Sequence, residues 1–142
     1  MIRRSVLVRR PVADVFDRFT AGIGRWWPLD RFSYGGERAG DLILEGHAGG
    51  RFYERFRDGE EHEIGRVLVY DPPHRVVFTW TQANWAEPTE VEVRFHAEGD
   101  HTRVELEHRG WERIGEGAAS AERAFGGGWA AILDRFAAHV MG

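Results

Sequence analysis

The sequence AASAERAFGGGWAAILDRFAAHV, residues 118–140, has the spacing of one long amphipathic helix. Its large apolar side chains recur at steps of one, three or four residues, which places them on one stripe of a helix with 3.6 residues per turn. A helix of about 20 residues is roughly 30 Å long, and no other segment with a helical pattern is long enough to cover it. We therefore expect a β-sheet to cover the stripe, which consists of Phe125, Trp129, Ile132, Leu133, Phe136 and Val140.

Three consecutive glycines, Gly126 to Gly128, interrupt this stripe. A glycine in a helix interior costs about 1 kcal/mol relative to alanine, so one interpretation is that the helix begins near Gly127. The other is a continuous helix with a bare patch that leaves room above the sheet. We favour the continuous helix, because residues 118–125 already have a helical pattern, in which Ser120 is a candidate N-cap.

The preceding residues supply the strands of the expected sheet. A strand at residues 2–9 is followed by a helix that starts at Pro11, a position where the missing N–H costs nothing. A second short helical segment covers residues 23–27 and ends before Pro28. Alternating apolar residues and turn sequences then predict six further strands. They lie at residues 41–45, 50–57, 65–70, 75–81, 89–96 and 102–109.

The last two of these strands form the clearest hairpin. With the turn at Gly99 and Asp100, apolar alternation and turn chemistry agree on one register. The register pairs Phe95 with Val104, Val93 with Leu106, Val91 with His108, Arg94 with Glu105, Glu90 with Arg109, and Glu92 with Glu107, the last pair being repulsive. The predicted fold is a single α+β domain over residues 1–142, with a curved antiparallel sheet of about seven strands wrapped on the long C-terminal helix and two short helices after the first strand.

Composition excludes several classes of function. A net charge of −4 and a pI near 6.0, with no basic run, argue against a nucleic-acid partner. No segment approaches the ~20 apolar residues of a membrane span. The absence of cysteine excludes disulfides and fits a reducing compartment, so we expect a cytoplasmic protein. The histidines lack zinc-site spacing and the glycines lack a phosphate-loop or dinucleotide fingerprint, so we expect no metal and no cofactor.

Several segments occur in a recognisable order. They are PVADVF at residues 11–16, WWP at 26–28, GGRF at 49–52, GRVLVYDPPHRVVFTW at 65–80, LEHRGW at 106–111, and GGW at 127–129. Together they cover nearly the whole chain and resemble the START-like, helix-grip superfamily (SRPBCC), and within it the Hsp-90 ATPase activator-like family. The resemblance implies a cavity between the curved sheet and the helix. Related superfamilies use that cavity for lipids, hormones, polyketides or aromatic compounds.

Two polar residues are the most informative candidates for such a cavity. His108 continues the inward face of Val104 and Leu106, so we expect it in or near the cavity, either as a satisfied histidine at the edge of the core or as a functional group. Glu54 shares a face with two phenylalanines and is buried if they point inward, or is a surface acid if the strand is flipped. The candidate ligand-binding residues are Trp27, Phe52, Glu54, Phe78, Trp80, Val91, Val93, Leu106, His108, Phe125 and Trp129.

Three functions remain open at the level of sequence. The first is binding of a small hydrophobic or aromatic molecule between sheet and helix. The second is an enzyme of the cyclase, dehydratase or hydrolase type, with Glu54 and His108 as acid–base groups close enough to share one bound group. The third is a protein-interaction module linked to a chaperone, and a homodimer is a further partner to test. An enclosed cavity with convergent polar groups favours the first two, whereas a filled core with an exposed apolar patch favours the third.

Overall fold

The C-terminal helix runs unbroken from Ala118 to Met141 in the computed structural model, which describes residues 1–142. The continuous helix is therefore confirmed. Ser120 is not its N-cap, because the helix begins after Gly117, whose left-handed φ of 84° only glycine adopts readily, and Ser120 already lies in the first turn. We label this helix α2.

The predicted α+β fold is confirmed, and its sheet has seven strands. In chain order the elements are β1 (Ile2–Val8), α1 (Val12–Phe19), β2 (Asp41–Leu44), β3 (Arg51–Arg55), β4 (Glu61–Asp71), β5 (Arg75–Trp80), β6 (Thr89–Glu98), β7 (His101–Arg109) and α2 (Ala118–Met141). A short 3₁₀ turn at Ile23–Arg25 follows α1. All neighbouring strands are antiparallel and follow the order β1-β7-β6-β5-β4-β3-β2.

Strand β4 is longer than its apolar pattern predicts, since it begins at Glu61 rather than near Gly65. The charged start of this strand is paired across to β3, where Arg51 and Arg55 both contact Glu61. Opposite charges on facing strands stabilise a pairing that apolar alternation does not reveal.

The register of the β6–β7 hairpin is confirmed at all six predicted pairs. The one unfavourable pair, Glu92 opposite Glu107, is relieved because Glu92 accepts hydrogen bonds from Arg75, Arg94 and Arg109. Burial acts to raise the pKa of Glu92, but these three guanidinium groups outweigh it and hold the pKa below its usual value. The repulsion expected from sequence is thus offset by cations from three strands.

The concave face of the sheet and α2 enclose an aromatic core. Phe19 and Trp26 both pack against Phe136 of α2, with ring centroids 5.1 and 4.7 Å away. The ring centroids of Phe52 and Phe78 lie 4.8 Å apart, and Phe52 is completely buried. The helix stripe is buried from Trp129 to Val140, whereas Phe125 near its start is half-buried.

A buried histidine connects the sheet to α2. Trp129 donates its indole N–H to Nδ1 of His108 at 2.9 Å, and Nε2 of His108 lies 2.6 Å from Oγ1 of Thr89. Because an indole can only donate, Nδ1 is the acceptor and the ring proton is on Nε2. Oγ1 of Thr89 in turn donates to the carbonyl of Trp80 at 3.3 Å. Both nitrogens of His108 are therefore satisfied within the protein.

His108 is wholly inaccessible to solvent, and it packs against Trp111 with ring centroids 4.2 Å apart. Burial lowers the pKa of His108 to about 3, so the imidazole is neutral at ordinary pH. His108 therefore points inward, as the register of the hairpin predicts. Of the two roles left open for this residue, the geometry matches a satisfied core histidine.

Removing the indole of α2 tests this packing. Trp129 is 1% exposed, so Trp129→Ala should lower the free energy of unfolding by roughly 3–5 kcal/mol, the range for deleting a large buried aromatic. Asp134 on the same helix is exposed, and Asp134→Ala should cost well under 1 kcal/mol. Urea unfolding followed by circular dichroism measures both, and similar midpoints for the two variants would contradict the fold.

The pH dependence of stability tests His108. Its pKa is about 3 in the folded chain and near 6.5 when unfolded, so between these values the unfolded state binds a proton that the folded state does not. Stability should therefore fall as pH falls below about 6.5, by up to about 1.4 kcal/mol per pH unit from this residue. His108→Gln should be less stable at pH 7, yet lose less stability between pH 6.5 and 5.

Urea unfolding across that pH range gives the slopes. The control is His47→Gln, since His47 is exposed and does not belong to the core cluster. This variant should keep the pH dependence of the unmodified protein. An unchanged slope in His108→Gln would show that the buried imidazole does not account for the dependence.

Candidate functional site

A cavity of about 270 Å³ lies between the sheet and the first half of α2. Its walls come from α2, from strands β2 to β5 and from the segment between α1 and β2. Ten of its fourteen lining residues are hydrophobic. The lining residues are Trp27, Phe32, Ser33, Tyr34, Leu42, Glu54, Ile64, Trp80, Gln82, Ala124, Phe125, Gly128, Trp129 and Ile132.

Aromatic rings form most of the apolar wall. Trp27 lies nearly parallel to Trp80, with centroids 6.3 Å apart, and meets Trp129 edge-on at 5.8 Å. Phe125 packs edge-on against Trp80 at 5.4 Å. These side chains present both ring faces and ring edges, an arrangement suited to contact with another aromatic molecule.

One end of the cavity is polar because it holds the carboxylate of Glu54, which is 1% exposed. One carboxylate oxygen accepts a hydrogen bond from Oγ of Ser33 and the other from the backbone N–H of Tyr34, both at 2.6 Å. Oγ of Ser33 also accepts the N–H of Gly35 at 2.9 Å. These bonds offset the cost of burying a carboxylate and fasten the segment between α1 and β2 to the sheet.

Tyr34 completes the polar end. Its hydroxyl oxygen accepts hydrogen bonds from Nε1 of Trp80 at 2.9 Å and from Nε2 of Gln82 at 2.6 Å. Tyr34 as a whole is 38% exposed, but burial around its hydroxyl raises the pKa of Tyr34. The two donated hydrogen bonds oppose this rise, and the negative charge of Glu54 adds to it. The phenol is consequently protonated at neutral pH.

The glycines of α2 have separate surroundings. Gly128 lines the cavity, and a Cβ there would lie 3.5 Å from the ring of Phe32. Gly127 is exposed, and a Cβ at this position would meet nothing within 4 Å. Gly126 faces Arg4, whose Nη2 would lie 3.2 Å from such a Cβ. The missing side chain at Gly128 therefore contributes to the space in the cavity.

The structure brings together five of the eleven candidate residues: Trp27, Glu54, Trp80, Phe125 and Trp129 line the cavity. Glu54 lines the cavity and Phe52 belongs to the core cluster, so the two share the inward face and the flipped strand is excluded. The other six candidates lie in the surrounding core, where they contact neighbouring side chains rather than the cavity. They are Phe52, Phe78, Val91, Val93, Leu106 and His108.

The pairing of Glu54 with His108 around one bound group does not match this arrangement. His108 is absent from the cavity lining, and both its ring nitrogens already have protein partners. The imidazole lies behind the cavity wall, because it packs against two wall residues, Trp80 and Phe125, with ring centroids 6.3 and 5.3 Å apart.

Sequence reasoning missed the residues that accompany Glu54. Phe32, Ser33 and Tyr34 fall in a glycine- and charge-rich connection without periodicity, and Gln82 begins a loop. The usable signal was two aromatic residues flanking a serine in an otherwise polar segment, since exposed loops seldom need large rings.

No group of three or more histidine, aspartate or glutamate side chains lies close enough to hold a metal ion. None of the helices has the length and apolar character needed to span a membrane.

Comparisons with known proteins identify the family. The family model described as "Activator of Hsp90 ATPase homolog 1-like protein" matches residues 9–141. A comparison with curated protein sequences gave no match.

Three solved structures show the range of similarity. The anthrahydroquino-gamma-pyrone synthase Txn09, solved as a complex, is 39% identical, with a TM-score of 0.59 over 87% of this chain and 85% of that protein. The self-sacrificing resistance protein CalC from Micromonospora echinospora is 30% identical, with a TM-score of 0.74 over 98% of this chain and 92% of that protein. CalU16 from the same organism is 24% identical, with a TM-score of 0.69 over 97% of this chain and 74% of that protein, and supports the fold alone.

The family model covers almost the whole chain, and the structures of Txn09 and CalC extend over nearly the same residues. The chain therefore belongs to the Activator of Hsp90 ATPase homolog 1-like family of the START-like (SRPBCC) helix-grip superfamily.

Proposed function

We propose that this protein binds a flat, mostly apolar aromatic molecule in the cavity between the sheet and α2. The observation that carries the proposal is the cavity itself, whose wall is largely aromatic and whose polar groups converge at one end. Small-molecule sites have this composition, and their usual volume is about 300–1,000 Å³. The volume of this cavity, about 270 Å³, lies just below that range. A ligand of two or three fused rings suits such a space.

The similarity to Txn09 supports this class of ligand. That protein is described as a synthase of an anthrahydroquino-gamma-pyrone, and it is 39% identical to this chain over most of both lengths. Rings of Trp27, Trp80 and Trp129 offer stacked and edge-on contacts to a flat ligand, each aromatic pair contributing about 0.5–1.5 kcal/mol beyond the buried area.

A second candidate is a ring-closing enzyme acting on a ligand in the same cavity. The similarity to a synthase favours it, and so does the presence of two groups able to take part in proton transfer, the carboxylate of Glu54 and the phenol of Tyr34. His108 has no part in this version, because its nitrogens face Trp129 and Thr89. Conversion of a bound molecule over time, followed by mass spectrometry, separates catalysis from binding.

A chaperone-linked interaction module is less well supported, because the core holds a cavity rather than being filled. Cytoplasmic location and homodimer formation stay predictions. Size-exclusion chromatography with light scattering tests the second of these.

Native mass spectrometry of freshly purified protein tests the proposal directly. A co-purifying molecule of aromatic composition, released on denaturation, is the expected result. Whether or not such a molecule is retained, added 9-fluorenone, a flat aromatic ketone, provides a defined probe whose binding equilibrium dialysis can measure.

Filling the cavity gives a sharper prediction. Gly128→Leu places a branched side chain in the cavity beside Phe32 and should weaken 9-fluorenone binding by about tenfold or more, equivalent to at least 1.4 kcal/mol. Gly127→Leu is the matched control, because it makes the same change of helix propensity one residue earlier, at an exposed position. It should keep the affinity of the unmodified protein. Equal losses in both variants, or no loss in either, would contradict binding in this cavity.

A further inference from the structure

The hydroxyl of Tyr34 has an unusual set of partners. Its oxygen accepts two N–H groups, from Trp80 and from Gln82, and its own proton is donated to no acceptor in the protein. Both donors belong to residues that line the cavity, so the hydroxyl lies at the cavity wall. A phenol that accepts two hydrogen bonds is polarised toward donating its own.

Glu54, the carboxylate that also lines the cavity, does not receive this proton. Each oxygen of Glu54 is bonded to the segment that carries Tyr34, one to the hydroxyl of Ser33 and the other to the backbone N–H of Tyr34. Glu54 therefore positions the backbone of Tyr34. The phenol is positioned by two other residues, Trp80 of β5 and Gln82 of the loop after β5, which both donate to its oxygen. The side chain is fixed at both ends with its proton unused.

We propose that the Tyr34 hydroxyl donates a hydrogen bond to a carbonyl oxygen of the bound aromatic molecule, and that this contact selects aromatic ketones over hydrocarbons of the same shape. The inference rests on the proposed function, because it needs an aromatic ligand in the cavity. It adds the class of polar group that the ligand carries and the residue that recognises it.

Other polar groups fit the Tyr34 hydroxyl less well. A ligand hydroxyl or amine that must donate finds the phenol oxygen of Tyr34 already occupied by two N–H groups. An anionic group would lie near the carboxylate of Glu54, which disfavours a second negative charge. A neutral acceptor such as a ketone or quinone oxygen avoids both penalties. Because burial raises the pKa of Tyr34, the donor persists across neutral pH.

The test compares 9-fluorenone with fluorene, which has the same three-ring outline but lacks the carbonyl oxygen. A net hydrogen bond of ordinary strength predicts that the unmodified protein binds the ketone about 3- to 10-fold more tightly. Tyr34→Phe should bring this ratio close to one, and because the ratio compares the two probes within one protein, it is independent of any change in affinity that both probes share. Equilibrium dialysis of both probes against both proteins gives the four dissociation constants.

Tyr70→Phe is the matched control. It removes the hydroxyl of a partly buried tyrosine, whose Oη lies 3.5 Å from Oγ1 of Thr20 and outside the cavity lining. The ketone preference should persist in this variant. Circular dichroism of all variants checks that each is folded.

The outcomes separate this inference from the proposed function. If both probes bind and Gly128→Leu weakens both, but Tyr34→Phe keeps the ketone preference or the unmodified protein has none, then the role of Tyr34 is overturned and the aromatic site stands. If neither probe binds, or Gly128→Leu leaves both affinities unchanged, the aromatic site is overturned and the role of Tyr34 with it.

Discussion

The hydrogen bond from the Trp129 indole to the His108 imidazole fixes how α2 is rotated against the sheet. Because both side chains are fully buried, breaking this bond would leave an unsatisfied polar group in the core, at a cost of about 1–3 kcal/mol. With Trp129 directed at β7, helical periodicity places Phe125, Gly128 and Ile132 along one side of the cavity. The shape of the cavity thus depends on the hydrogen bond between Trp129 and His108, which lies outside its polar end.

Glu54 has the corresponding role at the opposite wall. The segment between α1 and β2 has little regular structure, apart from the 3₁₀ turns at Ile23–Arg25 and Gly36–Arg38. Side-chain hydrogen bonds therefore add to the apolar packing of Trp26 and Trp27 in fixing its position. Glu54 holds Ser33 and Tyr34, and the indole of Trp27 donates to the carbonyl of Phe32 at 2.9 Å. A carboxylate that is costly to bury in isolation therefore helps to keep an irregular segment in place over an apolar space.

Local pattern was sufficient to predict the framework. Alternation in β6 and β7 has a period of two and a turn at a defined place, so one register buries Val91, Val93 and Phe95 and any slip exposes them. The stripe of α2 likewise predicted a covering sheet, and the run of glycines did not end the helix. Each of these features depends on neighbours in sequence or on the adjacent strand.

The site depended on contacts that no local pattern encodes. The alternation of apolar residues correctly predicted that His108 points inward. It could not predict that the imidazole packs against protein rather than a cavity, because the rings around it, those of Trp80, Trp111 and Phe125, come from three other segments. Residues 30–40 have no periodicity, so the place of Tyr34 beside Glu54 could not be read from either stretch alone.

The distribution of tryptophan gives the molecule a built-in optical reporter. Three of its six indoles, those of Trp27, Trp80 and Trp129, line the cavity, whereas Trp85 and Trp111 pack on each other at 5.8 Å outside it. An aromatic molecule in contact with the first group would quench or shift their emission at contact distance, while the second pair would respond far less. Occupancy could therefore be followed in the unlabelled, purified protein by the wavelength and intensity of its own fluorescence.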